Sequence, residues 1–152
     1  MNYWLFKSEP DEYSIDDLAN EPSGKGIWNG IRNYQVRNLL RDQVAVDDQL
    51  FFYHSSCKVP GIAGIATVVK AAYPDPSQFD EKSHYFDKKS IADNPRWFCV
   101  DIALKKKFTN TIPLKLLKIQ DELSEMVLLK QGRLSIQPVR AREWDIILSL
   151  AM

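Results

Sequence analysis

The chain has 152 residues, of which 45% are hydrophobic, 11% aromatic and 26% charged; this is the profile of one globular unit with a buried core, and it excludes a disordered chain. Lys plus Arg is 20 and Asp plus Glu is 20, which excludes a protein that coats nucleic acid by charge alone, because such binding needs a basic excess. Cys57 and Cys99 lack CxxC spacing, which argues against a disulfide framework or a zinc knuckle, and the apolar run at Tyr3–Phe6 is too short for a signal peptide or a membrane span, so a cytoplasmic chain without a membrane partner is expected.

Tyr3 to Lys7 is continuously aromatic and apolar, which predicts a strand buried on both faces. Pro10 ends it. Ser14, with Asp17 three residues on, predicts a capping-box start to a short helix over Ile15–Ala19. Gly24, Gly26 and Gly30 around Trp28 predict a loop with close backbone approaches. Val36, Leu39, Leu40 and Val44 form the stripe of an amphipathic helix from about Asn33 to Asp42. Leu50–Ser55 predicts a strand with Leu50, Phe52 and His54 on one face and Phe51, Tyr53 and Ser55 on the other.

Gly61–Lys70 predicts a second long strand, bent or bulged at its glycines. The polar stretch from Tyr73 to Pro95 contains three prolines and predicts a long functional loop. Arg96–Leu104 is a third long strand. Pro113–Lys118 and Asp121–Met126 are expected to be short helices, and Ser135–Val139 a short strand interrupted by Pro138. Trp144, Ile147, Leu148 and Ala151 mark one face of a C-terminal helix. The order is α+β, and its several buried strands suggest a curved or closed barrel in a single domain over 1–152.

The segment Ile27-Trp28-Asn29-Gly30-Ile31-Arg32-Asn33 is the most informative. A Trp between glycines, ahead of a helix N-terminus, offers a flat face beside free backbone N–H groups, and Arg32 and Asn33 add donors and an acceptor. A nucleobase needs that combination of stacking wall and edge hydrogen bonds. The same residues also fit a plainer arrangement, with Trp28 in the core and Asn33 capping the helix. Tyr53-His54-Ser55-Ser56-Cys57 ends a strand in a polar cluster. His54 and Cys57 raise an enzymatic alternative, acting on nucleic acid or a nucleotide, although no ligand or nucleophile spacing supports it. A peptide-binding module is a further alternative. Tyr85 and Phe86, adjacent in a polar loop, form a second cage wall or anchor the loop. Lys105-Lys106-Lys107 is a solvated face or a phosphate contact.

Several blocks occur together: Trp4-Leu5-Phe6-Lys7-Ser8-Glu9-Pro10, Trp28-Asn29-Gly30-Ile31-Arg32-Asn33-Tyr34-Gln35, Phe52-Tyr53-His54-Ser55, Pro60-Gly61-Ile62-Ala63-Gly64, Ser83-His84-Tyr85-Phe86-Asp87, Asn94-Pro95-Arg96-Trp97 and Leu134-Ser135-Ile136-Gln137-Pro138-Val139. In this order, over nearly the whole chain, they resemble the EVE domain family, a relative of PUA and YTH domains. The resemblance implies a PUA-like fold, a small curved β-barrel flanked by helices. It also implies a non-catalytic module that reads a modified base, such as a methylated or hydroxymethylated cytosine, in DNA or RNA.

By that resemblance Trp28 is a cage wall, and Tyr85 or Phe86 the second. Lys7, Ser8, Asn29, Gly30, Arg32, Asn33, Tyr53, His54, Ser55, Ser135 and Gln137 line or rim the pocket. Lys25, Arg37 and Arg96 are candidates for phosphate or rim contacts. No cofactor, metal or catalytic residue is expected, and the state expected is a monomer. Trp28→Ala is expected to abolish binding while leaving the fold intact.

Overall fold

A computed structural model describes residues 1–151. In chain order its main elements are β1 (Tyr3–Ser8), α1 (Ile15–Ala19), β2 (Lys25–Trp28), α2 (Tyr34–Asp42), β3 (Gln49–His54), β4 (Gly61–Pro74), β5 (Phe98–Pro113), α3 (Leu114–Lys118), α4 (Val127–Lys130), β6 (Ile136–Val139) and α5 (Ala141–Leu150). The strands form one six-stranded sheet in the order β2-β5-β4-β3-β1-β6. It is strongly curved, as the α+β reading expects, but its outer strands β2 and β6 do not pair, so the barrel stays open.

β1 and β3 lie side by side and parallel, from Tyr3 opposite Gln49 to Ser8 opposite His54. Their side chains alternate between two cores. Trp4, Phe6, Leu50 and Phe52 face one, with Trp28, Val36, Leu40 and Ile102. Leu5, Phe51 and Tyr53 face the other, with Phe108, Leu117, Leu128, Trp144 and Ile147. This double burial is why both strands are apolar at nearly every position. α1 and α2 pack on the first core, and α3, α4 and α5 on the second. Trp144 of α5 stacks on Phe51 at 3.9 Å and on Tyr3 at 4.5 Å between ring centroids.

Local signals set the helix starts. Ser14 and Asp17 form the capping box of α1. Asn33 caps α2, its side chain accepting from the Val36 amide at 3.0 Å. The loop expected around Trp28 instead contains β2, which pairs antiparallel with β5, Trp28 opposite Val100. Its exposed Ile27 and its glycine conceal the strand, and an edge strand needs only one partner. β4 and β5 run further than expected, to Pro74 and Pro113, and Lys105, Lys106 and Lys107 lie within β5, exposed. The segment expected to be a helix over Asp121–Met126 is a single tight turn at Asp121–Leu123, with α4 following.

Gly61 and Gly64, where the sequence suggested a bend or bulge, also mark close approaches. A Cβ on Gly64 would stand 2.3 Å from the Lys106 carbonyl oxygen and 2.4 Å from Ile15 Cδ1, and one on Gly61 would stand 2.1 Å from the Ile112 carbonyl oxygen. The pairing of β4 with β5 shifts register between Ile62 and Gly64. Bulges of this kind bend a sheet.

Two polar residues are structural. Asp48 is 2% exposed and accepts from the Asn2 amide, the Trp4 indole N–H and the Ala45 amide, each at 2.9 Å. It ties the start of β1 to the turn before β3. His54, expected in the pocket, turns instead to α1, where its Nε2 accepts from the Ile15 amide at 3.1 Å. Tyr53, also expected there, points into the second core and is 2% exposed. The alternation of β3 sends these neighbours to opposite faces, so neither lines the cleft described below.

Burial lowers the His54 pKa below 6.5, Asp16 and Asp17 pull it up, and Lys107 pushes it down. The neutral ring is the form that accepts a hydrogen bond. A depressed folded value means that the stability it contributes is complete above about pH 6.5 and is lost as pH falls through the folded value. His54→Gln, which keeps an acceptor in reach of Ile15, is expected to remove that acid-side loss in a melting series from pH 7 to 5. Asp48→Ala strands three donors and is expected to cost about 2–4 kcal/mol in denaturant unfolding. Gly64→Ala is expected to cost at least about 1–3 kcal/mol by overpacking, and an unchanged denaturation midpoint would contradict the close approach.

Candidate nucleic-acid interface

The C-terminal ends of β1 and β3, being parallel, open at the same edge of the sheet. The Trp28 end of β2 and the 83–85 and 132–135 turns surround that edge. Between them lies a cleft of about 840 Å³ lined by Lys7, Ser8, Glu9, Glu12, Tyr13, Trp28, Asn29, Gly30, Ser55, Ser56, Tyr85 and Arg133, among others. That is ample for a small ligand and leaves space beyond one base. Its other lining residues include Ser135, His84 and Gly132.

Trp28 is both core and wall. Only 6% of it is exposed. Its ring meets those of Phe6 at 5.3 Å, Phe52 at 5.2 Å and Tyr13 at 6.4 Å, all at steep angles. The indole is therefore rigidly held while contributing to the cleft. Of the two arrangements that the sequence left open for it, the core one is realised, and the ring also borders the cleft.

Tyr85 also lines the cleft; Phe86, exposed, does not. The Tyr85 ring lies over Gly30, where a Cβ would come within 2.7 Å of Cζ. Gly30 also has φ 81°, a left-handed conformation that favours glycine. The Tyr85 hydroxyl donates to Glu12 at 3.1 Å. Its pKa is raised, first by burial and then by the Glu12 hydrogen bond and charge, so the phenol stays a neutral donor.

Arg32 does not line the cleft but holds this wall. Its Nε and Nη2 donate to the Tyr85 carbonyl at 3.1 and 2.7 Å, and its Nη1 donates to Asp75 at 3.1 Å. Asp75 is fully buried and also accepts from the Gly30 amide, the Ser77 amide and the Ser77 hydroxyl, at 2.9, 2.8 and 2.6 Å. Behind it, buried Gln78 bonds to the carbonyls of Asp75 and Trp97 and accepts from Ser90 and the Trp97 amide. The long proline-containing loop is thus a fixed scaffold.

The other wall is held the same way. The Lys7 amide donates to the Ser135 carbonyl at 2.7 Å, and the Lys7 ammonium donates to the Gly132 carbonyl. Gln137, expected in the pocket, is buried beneath this turn. Its Nε2 donates to the carbonyls of Leu134 at 2.8 Å and Gln131 at 3.3 Å, while its Oε1 has no partner. Since β6 pairs Gln137 with Leu5, its side chain supports the turn and does not line the cleft.

Of the expected pocket residues, the structure therefore brings Lys7, Ser8, Trp28, Asn29, Gly30, Ser55, Tyr85 and Ser135 to the cleft. Arg32, Asn33, Tyr53, His54, Phe86 and Gln137 are elsewhere. Asn33 is spent on its helix cap. Arg37 donates to the Arg96 carbonyl at 2.9 Å and lies over the exposed Tyr34 ring, which packs on Trp97. Arg96 stands 4.0 Å from Asp87. Lys25 is exposed at the start of β2. None of these three lines the cleft.

Glu12, Tyr13, Asp75 and Arg133 were missed. Only Asp75 left a local signal: it precedes Pro76 and Ser77 and caps the turn they start. Among the described residues no three His, Cys, Asp or Glu side chains stand together as metal ligands. His54 is engaged by Ile15, and Cys99 is buried with its thiol pushed up to about 12, chiefly by burial.

Comparison with known proteins agrees with this fold. The sequence matches the EVE domain family model over residues 2–150. Mouse thymocyte nuclear protein 1 is 42% identical over 166 residues, covering 98% of this chain and 73% of the relative. Among solved structures, a Pseudomonas syringae protein is 50% identical with a TM-score of 0.93, covering 99% of both chains. Human THYN1, solved in complex with 5-methylcytosine-containing DNA, is 40% identical with a TM-score of 0.94, covering 99% of this chain and 98% of that one. The chain belongs to the EVE domain family.

Proposed function

We propose that this chain is a non-catalytic DNA-binding module that accepts a 5-methylated cytosine, turned out of its strand, between Trp28 and Tyr85. The observation that carries the reading is the cleft itself: two aromatic residues, one fixed in the core and one pinned over Gly30, border an open space with polar groups along its length. The similarity to human THYN1, which was solved with 5-methylcytosine-containing DNA, supports the choice of base and strand. The module acts as a monomer and as one domain over 1–152. It works in the compartment that holds the DNA, which is the cytoplasm only where no nucleus separates the two.

Stacking and edge hydrogen bonds provide most of the affinity. A flipped base costs a few kcal/mol to unstack, and stacking on an aromatic side chain returns about 1–3 kcal/mol. Burying one methyl group contributes only about 0.8 kcal/mol, a preference of about fourfold. Strong discrimination therefore needs the walls held at a fixed separation, which the hydrogen bonds of Arg32 to the Tyr85 carbonyl and the packing of Trp28 on Phe6 and Phe52 supply.

Trp28→Ala does not isolate this function, contrary to the sequence-based expectation, because removing a buried Trp costs about 3–5 kcal/mol of stability. Tyr85→Ala is the cleaner variant. It is expected to keep a near-normal melting midpoint and to weaken binding of a methylated oligonucleotide about 10- to 100-fold, read by fluorescence anisotropy. Gly30→Ala, which drives a Cβ into the Tyr85 ring, is expected to weaken binding in the same assay. Full affinity in Tyr85→Ala would remove the second wall from the reading, and equal affinity of the unaltered protein for methylated and unmethylated strands would remove the methyl group.

A further inference from the structure

Two cations, Lys7 and Arg133, and two carboxylates, Glu9 and Glu12, line the cleft. Glu12 belongs to the Tyr85 side, where its carboxylate accepts from the phenol. Lys7 and Arg133 belong to the side of the 132–135 turn, to which Lys7 is bound through both its amide and its ammonium. The Lys7 stem passes over the Tyr53 ring, with Nζ 5.5 Å from the centroid, so the ammonium has a set position.

Among the described residues that ammonium has no counter-charge and bonds only the Gly132 carbonyl. Burial lowers its pKa, and no carboxylate acts against the shift. Among the described residues the ion pairs engage Arg32, Arg41, Arg96, Lys107, Lys130 and Arg142, but neither Lys7 nor Arg133. Withdrawing a cation partly from water without a partner costs free energy, and an anion brought by a ligand offsets it. Ser55, Ser56 and Ser135 line the same cleft and carry hydroxyl donors.

We infer that the Lys7 end of the cleft is a phosphate subsite, in which Lys7, Arg133 and the neighbouring serine hydroxyls take the phosphodiester adjacent to the base held between Trp28 and Tyr85. The inference rests on the nucleic-acid reading of the cleft and moves Lys7 from the base edge to the strand backbone. Glu12 repels a phosphate from the opposite side, so the pair of charges gives the strand one direction of entry.

A backbone contact and a base contact differ in their salt dependence. Each neutralised phosphate contributes about 0.7 to the slope of log affinity against log salt for a single strand and about 0.9 for a duplex. Lys7→Met is expected to reduce the slope by about that amount, to weaken methylated and unmethylated oligonucleotides by the same factor, and to leave their ratio unchanged. Arg133→Gln, at an exposed position, is expected to act in the same direction without lowering the melting midpoint, so the test survives a poorly folded Lys7 variant. Unaltered slopes in both variants overturn the subsite. So does a loss in Lys7→Met confined to the methylated strand, which would return Lys7 to the base edge.

Inorganic phosphate at fixed ionic strength separates the possible sources of the anion. No specific competition with the oligonucleotide is expected, and saturable displacement at low concentration would assign the subsite to the free ion instead. A protein that ignores methylation yet loses salt slope in both variants would retain the subsite and lose only the choice of base. Absence of any oligonucleotide binding would overturn both.

Discussion

A single buried carboxylate organises one side of the cleft. Asp75 gathers the Gly30 amide, the Arg32 guanidinium and two donors of Ser77 into one fully buried cluster. A charge in that position is tolerable only when every lone pair is used and an opposite charge stands beside it, and both conditions hold. Arg32 then has its remaining N–H groups free to fix the Tyr85 backbone. The wall of the cleft is thus positioned from behind, by groups that a ligand would not touch.

The sheet supplies the complementary constraint. Because β1 and β3 are parallel and buried on both faces, neither can slide without exchanging its two cores. Their ends deliver Lys7, Ser8, Ser55 and Ser56 to one edge at a fixed height. Trp28, arriving from the far edge of the sheet, is locked by three aromatic rings from three other segments. Rigid walls limit how far the cleft can close around a smaller ligand, and that gives one methyl group an influence that its burial area alone lacks.

A net charge of zero fits a protein that recognises its partner through a cleft. Separation matters more here than total charge. Lys7 is attached to the 132–135 turn and Glu12 to the Tyr85 loop. Lys105, Lys106 and Lys107, the most conspicuous basic run in the sequence, lie along β5, where Lys107 pairs with Asp16 and Lys105 bonds Gln49. Lys7 is electrostatically the more consequential residue, because it is half-buried at the cleft and takes part in none of the ion pairs among the described residues.

The sequence by itself determined the local features. The capping box of α1, the Asn33 cap, the apolar stripe of α2, the double burial of β1 and the bulge at the glycines of β4 all follow from neighbouring residues, and the family blocks carried the fold class. Tertiary structure decided which polar residues face the ligand. Residue periodicity says that Tyr53 and His54 point to opposite sides but not what lies on either side; one side is a second core and the other is a helix N-terminus. β2 was hidden because an edge strand draws its hydrogen bonds from β5, far along the chain. Glu12 meets Tyr85 across 73 residues, and Asp75 meets Arg32 across 43. Contacts of that span depend on loop closure and on the packing of the whole sheet, and no short-range pattern in the chain encodes them.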